Sequence, residues 1–148
     1  MNGKIVPAFA IWIFLVGILL ATLVINWQKI DDEASDTTFL MLENQITERA
    51  NAFRQQWVIS KKPSVIEYEG EKIQLDGNGW VLPLLDNKVN CKWWLETLYP
   101  RLGNTYLADP EITMISGYPT YHCQYEFKQK KVLDLVLSEK TLSISTIK

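Results

Sequence analysis

Histidine and cysteine are nearly absent from this sequence: one His and two Cys occur in 148 residues. A closed zinc site draws about four ligands from His, Cys and carboxylates, and His122 beside Cys123 cannot build one alone. The same two neighbours make a poor nucleophile and base. Such a pair must approach within about 3 Å, whereas adjacent side chains on a strand point to opposite faces. GxSxG, P-loop, GxGxxG and HExxH motifs are missing too. These absences lead to the expectation of a non-enzyme with no metal and no cofactor. There is no Arg-rich stripe, and Lys and Arg total 15 against 17 Asp and Glu, so nucleic acid is excluded as a partner. No repeat and no low-complexity tract is visible.

Charge is also missing from one long stretch. The 24 residues between Lys4 and Lys29 contain no Asp, Glu, Lys, Arg or His. A helix rises about 1.5 Å per residue, so roughly 20 apolar residues cross a bilayer core of about 30 Å. Residues 5–28 are therefore expected to span a membrane, with lipid as their partner. Pro7 falls in the first turn, where a missing N–H costs least. Trp27 falls near the far end, where an indole suits the headgroup level. Gly17 and Ala21, four apart, form a small-xxx-small pair that fits either helix contact or ordinary lipid-facing sequence. A cleaved signal peptide would have a shorter apolar core and small residues before the cut. Asn26-Trp27-Gln28-Lys29 offers no such site, so the expectation is an uncleaved anchor. Lys4 and the amino group before it favour a cytoplasmic arm at 1–4 and an exported domain at 29–148.

Both cysteines, Cys91 and Cys123, lie in that exported part. An even count in an exported domain suggests one disulfide.

Residues 33–60 have a helical period. Phe39, Leu42, Ile46, Ala50, Phe53 and Trp57 follow at spacings of 3, 4, 4, 3 and 4, which puts them on one face. That stripe either covers the protein's own sheet or meets a partner helix. Phe53 and Trp57 are expected to act as core. Phe39 and Leu42, nearest the membrane, and Ile46 after them are the candidate contact residues. Pro63 is expected to stop the helix. The spanning helix and this one are either a single helix or two with a break near Asp31–Thr38.

After Pro63 the period becomes two. Val65–Glu69 and Glu71–Leu75 read as a hairpin around Gly70, and Asp76-Gly77-Asn78-Gly79 as a turn. Glu67, Glu69 and Glu71 would share one side of that hairpin, either as a calcium ligand set or as a solvated edge that discourages strand pairing. Cys91–Tyr99 reads as a short helix ended by Pro100, with Trp94, Leu95 and Leu98 inward. Trp93 beside Cys91 is either core or an exposed contact residue. Strands are expected at Tyr118–Lys128, Val132–Ser138 and Thr141–Ile147, with Gln129-Lys130-Lys131 and Glu139-Lys140 as turns. The fold class is α+β: an N-terminal transmembrane helix leads into an amphipathic helix packed on an antiparallel sheet over residues 64–148, with one disulfide.

The apolar run 5–27, the stripe Phe39–Trp57, the turn from Gly79-Trp80 to Pro83, Cys91-Lys92-Trp93-Trp94-Leu95 and Tyr121-His122-Cys123-Gln124-Tyr125 together resemble type IV pilin-like proteins. The combination is most similar to the MshF family of MSHA pilus biogenesis proteins, over nearly the whole chain. The resemblance implies a pilin-like fold, a single-pass place in a bacterial inner membrane with a periplasmic domain, and contacts with other pilus-assembly proteins or pilins. One departure matters. Prepilins carry a Gly before a hydrophobic residue at the peptidase site and a Glu five positions into the mature chain. Here Lys4 follows Gly3, and no Glu occurs within 5–28. The resemblance therefore implies an assembly factor that stays in the membrane. The rival expectation is a membrane-tethered periplasmic ligand-binding or sensor domain, which needs a concave pocket with convergent polar groups.

Overall fold

The computed structural model describes residues 5–104, 107, 109–128 and 130–147, with side chains from residue 9 onward except at 27–35 and 104. The expectations for Gly3 and Lys4, for Gln129, and for the side chains of Trp27, Lys29, Asp31, Asp32 and Glu33 lie outside the described residues. The chain divides into two compact units, residues 1–38 and 39–148. The helical stretches expected at 5–28 and 33–60 are one element, α1 (Ile5–Ile59), which supplies the first unit and opens the second. No Pro or Gly occurs between Lys29 and Phe39 to interrupt it.

In the first unit, Phe9–Asn26 is long and apolar enough to cross a membrane. Its large side chains are uncovered, with Trp12 62% exposed and Phe14 68% exposed. A soluble helix would bury such a face. Among the described residues nothing packs on Gly17.

In the second unit, α1 is followed by β1 (Val65–Tyr68), β2 (Glu71–Gln74), β3 (Leu84–Leu85), β4 (Lys88–Val89), α2 (Cys91–Leu98), β5 (Glu111–Ser116), β6 (Tyr121–Glu126), β7 (Val132–Leu137) and β8 (Leu142–Ile147). β5 to β8 form an antiparallel meander in that order, while β1 pairs with β2 and β3 with β4. α1 ends before Pro63 is reached. Lys61 and Lys62 take left-handed backbone angles, and the Lys62 N–H closes the last turn on the Trp57 carbonyl at 2.8 Å. α2 begins at Asn90, whose side chain accepts the Trp93 N–H at 2.9 Å, and stops two residues before Pro100.

The stripe on α1 lies against the inner face of the meander. Phe39, Leu42, Ile46, Ala50, Phe53 and Trp57 share one core with Cys123, Tyr125 and Phe127 of the β6 segment and Leu133, Leu135 and Leu137 of β7. This corrects the expectation that Phe39, Leu42 and Ile46 meet a partner. They are 2%, 1% and 0% exposed, as buried as Phe53. The sheet reaches that end of the domain because Phe127, just past β6, stands edge-on to Phe39 with ring centroids 5.2 Å apart.

The hairpin corrects a second expectation. Its turn is Glu69-Gly70, both with positive φ, so Tyr68 pairs with Glu71 and Glu67 with Lys72. A two-residue turn changes the parity across the hairpin. Glu71 thus shares a face with Tyr68, and Glu67 lies on the other. The three glutamates do not line one side.

Candidate functional site

A single arginine ties together three elements around an indented surface of the second unit. Arg49 sits on α1 beside the buried stripe. Its Nε donates to the Thr97 carbonyl at 2.7 Å, near the C-terminus of α2, where a cation is favoured by the helix dipole. Its Nη2 donates to Glu69 Oε2 at 3.1 Å. The guanidinium also lies 5.1 Å from the Tyr68 ring centroid and 5.4 Å from that of Phe53, within cation–π range. A planar fork with five donors can serve all these partners at once, and a lysine cannot.

Two recesses adjoin Arg49, and Tyr68 and Pro100 line both. One, of about 260 Å³, is walled by Trp93 and Tyr68 and rimmed by Glu69, Glu71 and Glu96. The other, of about 480 Å³, runs along α1 past Gln45, Glu48 and Ala52 to Tyr99 and Arg101. Trp93, one of the contact candidates, is half-buried and forms part of the first wall. Neither recess is lined by a Ser, Cys or His. Their walls offer aromatic faces, carboxylates and guanidinium groups, the materials of protein and small-ligand recognition.

The disulfide supports this surface from below. Cys91 and Cys123 are bonded, with Cα atoms 5.7 Å apart, joining the start of α2 to the middle of β6. Alongside it, the Tyr125 hydroxyl donates to the Cys91 carbonyl at 2.7 Å, and burial pushes the Tyr125 phenol pKa far up. Trp94 Nε1 donates to the Val81 carbonyl at 3.0 Å. α2, which carries Trp93, is thereby fixed to β6 and to the segment before β3.

His122 has no thiol partner. Its Nε2 lies 3.2 Å from Asp134 Oδ1 on the outer face of the sheet, and Gln124 Nε2 donates to the same oxygen at 3.1 Å. Cys123 points to the inner face, as strand alternation requires.

The sequence reading missed Arg49. Its partners Glu69 and Thr97 lie 20 and 48 residues away, and one arginine on an amphipathic helix carries no motif. Comparisons with protein-family models, curated proteins and solved structures return no match to this chain.

Proposed function

We propose that this chain is a non-catalytic component of type IV pilus biogenesis of the MSHA type, anchored once in a bacterial inner membrane with its main domain in the periplasm. The observation that carries the reading is α1 itself. It combines an exposed apolar span at Phe9–Asn26 with a stripe buried on an antiparallel sheet, the arrangement implied by the pilin-like resemblance. A buried disulfide between α2 and β6 suits an oxidising compartment. The mechanism is geometric. An anchor confines the domain to a plane and raises its effective concentration near other assembly proteins. The surface around Arg49 and Trp93 then serves as the docking face, with the Arg49 side chain already held by Thr97 and Glu69 and the helix that carries Trp93 fixed by the disulfide.

The test is capture of the full-length chain from native membranes in mild detergent, with bound proteins identified by mass spectrometry. Pilus-assembly proteins or pilins are expected, and Trp93→Ala should reduce their recovery without lowering the melting temperature by more than a few degrees. A second reading, a ligand-binding or sensor domain, draws on the recess of about 260 Å³ walled by Trp93 and Tyr68. A stoichiometric small molecule in the captured material, with no pilus protein, would establish that reading in place of the first.

A further inference from the structure

The second unit holds four tryptophans, Trp57, Trp80, Trp93 and Trp94, and three of them are accounted for by the chain itself. Trp94 is fully buried. Lys62 Nζ lies 5.4 Å from the Trp57 ring centroid, and the Arg54 guanidinium 4.9 Å from that of Trp80. Trp93 is half-buried, yet among the described residues no cation lies over its ring.

The surroundings of Trp93 are those that attract a cation. Glu69, Glu71 and Glu96 rim the recess that it walls with Tyr68. Against these three carboxylates stands one lining cation, Arg49, whose donors go to Glu69 and to the Thr97 carbonyl. Glu71 has no ion pair or hydrogen bond among the described residues. Glu96 is approached by Lys92, one helical turn earlier, at 3.9 Å, beyond hydrogen-bonding distance. An aromatic face beside uncompensated carboxylates in a concave wall binds ammonium and guanidinium groups. The domain already uses that chemistry at this place: Arg49 pairs with Glu69 while lying 5.1 Å from the Tyr68 ring centroid.

We propose that the recess between Trp93 and Tyr68 takes a lysine or arginine side chain of the docked partner, with its charged head among the Trp93 indole and the carboxylates of Glu71 and Glu96. This rests on the reading of that surface as the docking face, and it names what the partner brings to it. At about 260 Å³ the recess is smaller than the roughly 300–1,000 Å³ of small-molecule sites, which suits a single side chain. The missing ring cover and the excess negative charge are both supplied by one basic residue.

End-blocked tripeptides Gly-Lys-Gly and Gly-Arg-Gly are the probes, with Gly-norleucine-Gly matching the lysine stem without its charge. Isotope-labelled full-length protein in an uncharged maltoside detergent gives one indole N–H resonance per tryptophan, and Trp93→Phe identifies that of Trp93. The basic peptides should shift that resonance saturably, with a Kd of about 1–10 mM, and the norleucine peptide should not. Glu71→Gln combined with Glu96→Gln, both exposed, should keep the melting temperature and weaken binding about tenfold. No shift with the basic peptides, an equal shift with norleucine, or unchanged binding to the charge variant would each overturn the proposal. Capture from native membranes with the same variant separates it from the reading it rests on. Pilus proteins recovered in full would overturn the basic-side-chain proposal alone. Saturable binding of the basic peptides, with no pilus protein captured by the unaltered chain, would support it and overturn the pilus reading.

Discussion

Gly79 lies directly against the indole of Trp57: a Cβ built on it would stand 2.5 Å from Trp57 Cε3 and 2.7 Å from Cδ2. Its φ of +85 is a conformation that side chains rarely adopt. The loop it belongs to is clamped at several points. The Asp76 carboxylate accepts the backbone N–H groups of Asn78 and Trp80. Asn78 Nδ2 reaches the Glu139 carbonyl, and Trp80 Nε1 the Lys140 carbonyl. The Arg54 guanidinium covers the Trp80 ring. These contacts hold the loop against Trp57.

Gly79→Ala should therefore destabilise the domain by about 2–4 kcal/mol, combining backbone strain with overpacking. Urea unfolding followed by tryptophan fluorescence checks this. A loss under about 1 kcal/mol would mean that the loop relaxes freely away from α1.

Truncation along the stripe gives the next outcome. Phe39→Ala and Phe53→Ala should each cost about 3–5 kcal/mol, since both rings are buried to the same degree. The sequence reading divided these positions, and the division failed for a physical reason. Closeness to an anchor in the chain carries no information about how far a sheet extends. Phe127, which covers Phe39, sits 88 positions later.

Other features were legible because local chemistry and tertiary packing agree. The 3, 4 spacing gave the helix face, Gly70 the hairpin turn, Pro100 the end of α2, and alternation the last three strands. β5 was not read. Glu-Ile-Thr-Met-Ile-Ser puts Met114 and Ile115 in sequence and exposes both, and its bulge breaks the alternation by which strands are recognised. β3 and β4, two residues each, are too short for any period. At the candidate site Trp93, Glu69 and Glu71 were singled out beforehand, whereas Arg49 was not, since its contacts depend on chain folding rather than on spacing.

Arg49→Met keeps the bulk of the stem but leaves Glu69 and the Thr97 carbonyl without their donor. It should cost about 2 kcal/mol. Glu69→Gln should change stability by less than about 0.5 kcal/mol, because the Glu69 side chain is 68% exposed. Chemical denaturation of both variants checks the asymmetry. Equal losses would shift the weight of the interaction from the carbonyl and the rings to the ion pair.

The buried phenol sets a pH dependence. Burial raises the Tyr125 pKa in the folded state, so the unfolded chain releases that proton first. The contribution is fully present below the ordinary tyrosine value of about 10 and is lost as pH rises beyond it. Stability should fall with alkali above about pH 10, and Tyr125→Phe should show a shallower fall. Parallel slopes for the two proteins would place the alkaline transition elsewhere.

The central proposal is that this domain serves pilus assembly from the membrane. Deleting its gene in the host bacterium and counting surface pili by electron microscopy tests that directly. Piliation should be lost while pilin persists in the membrane fraction, and the intact gene should restore it. Unchanged pilus number and length in the deletion strain would contradict the account.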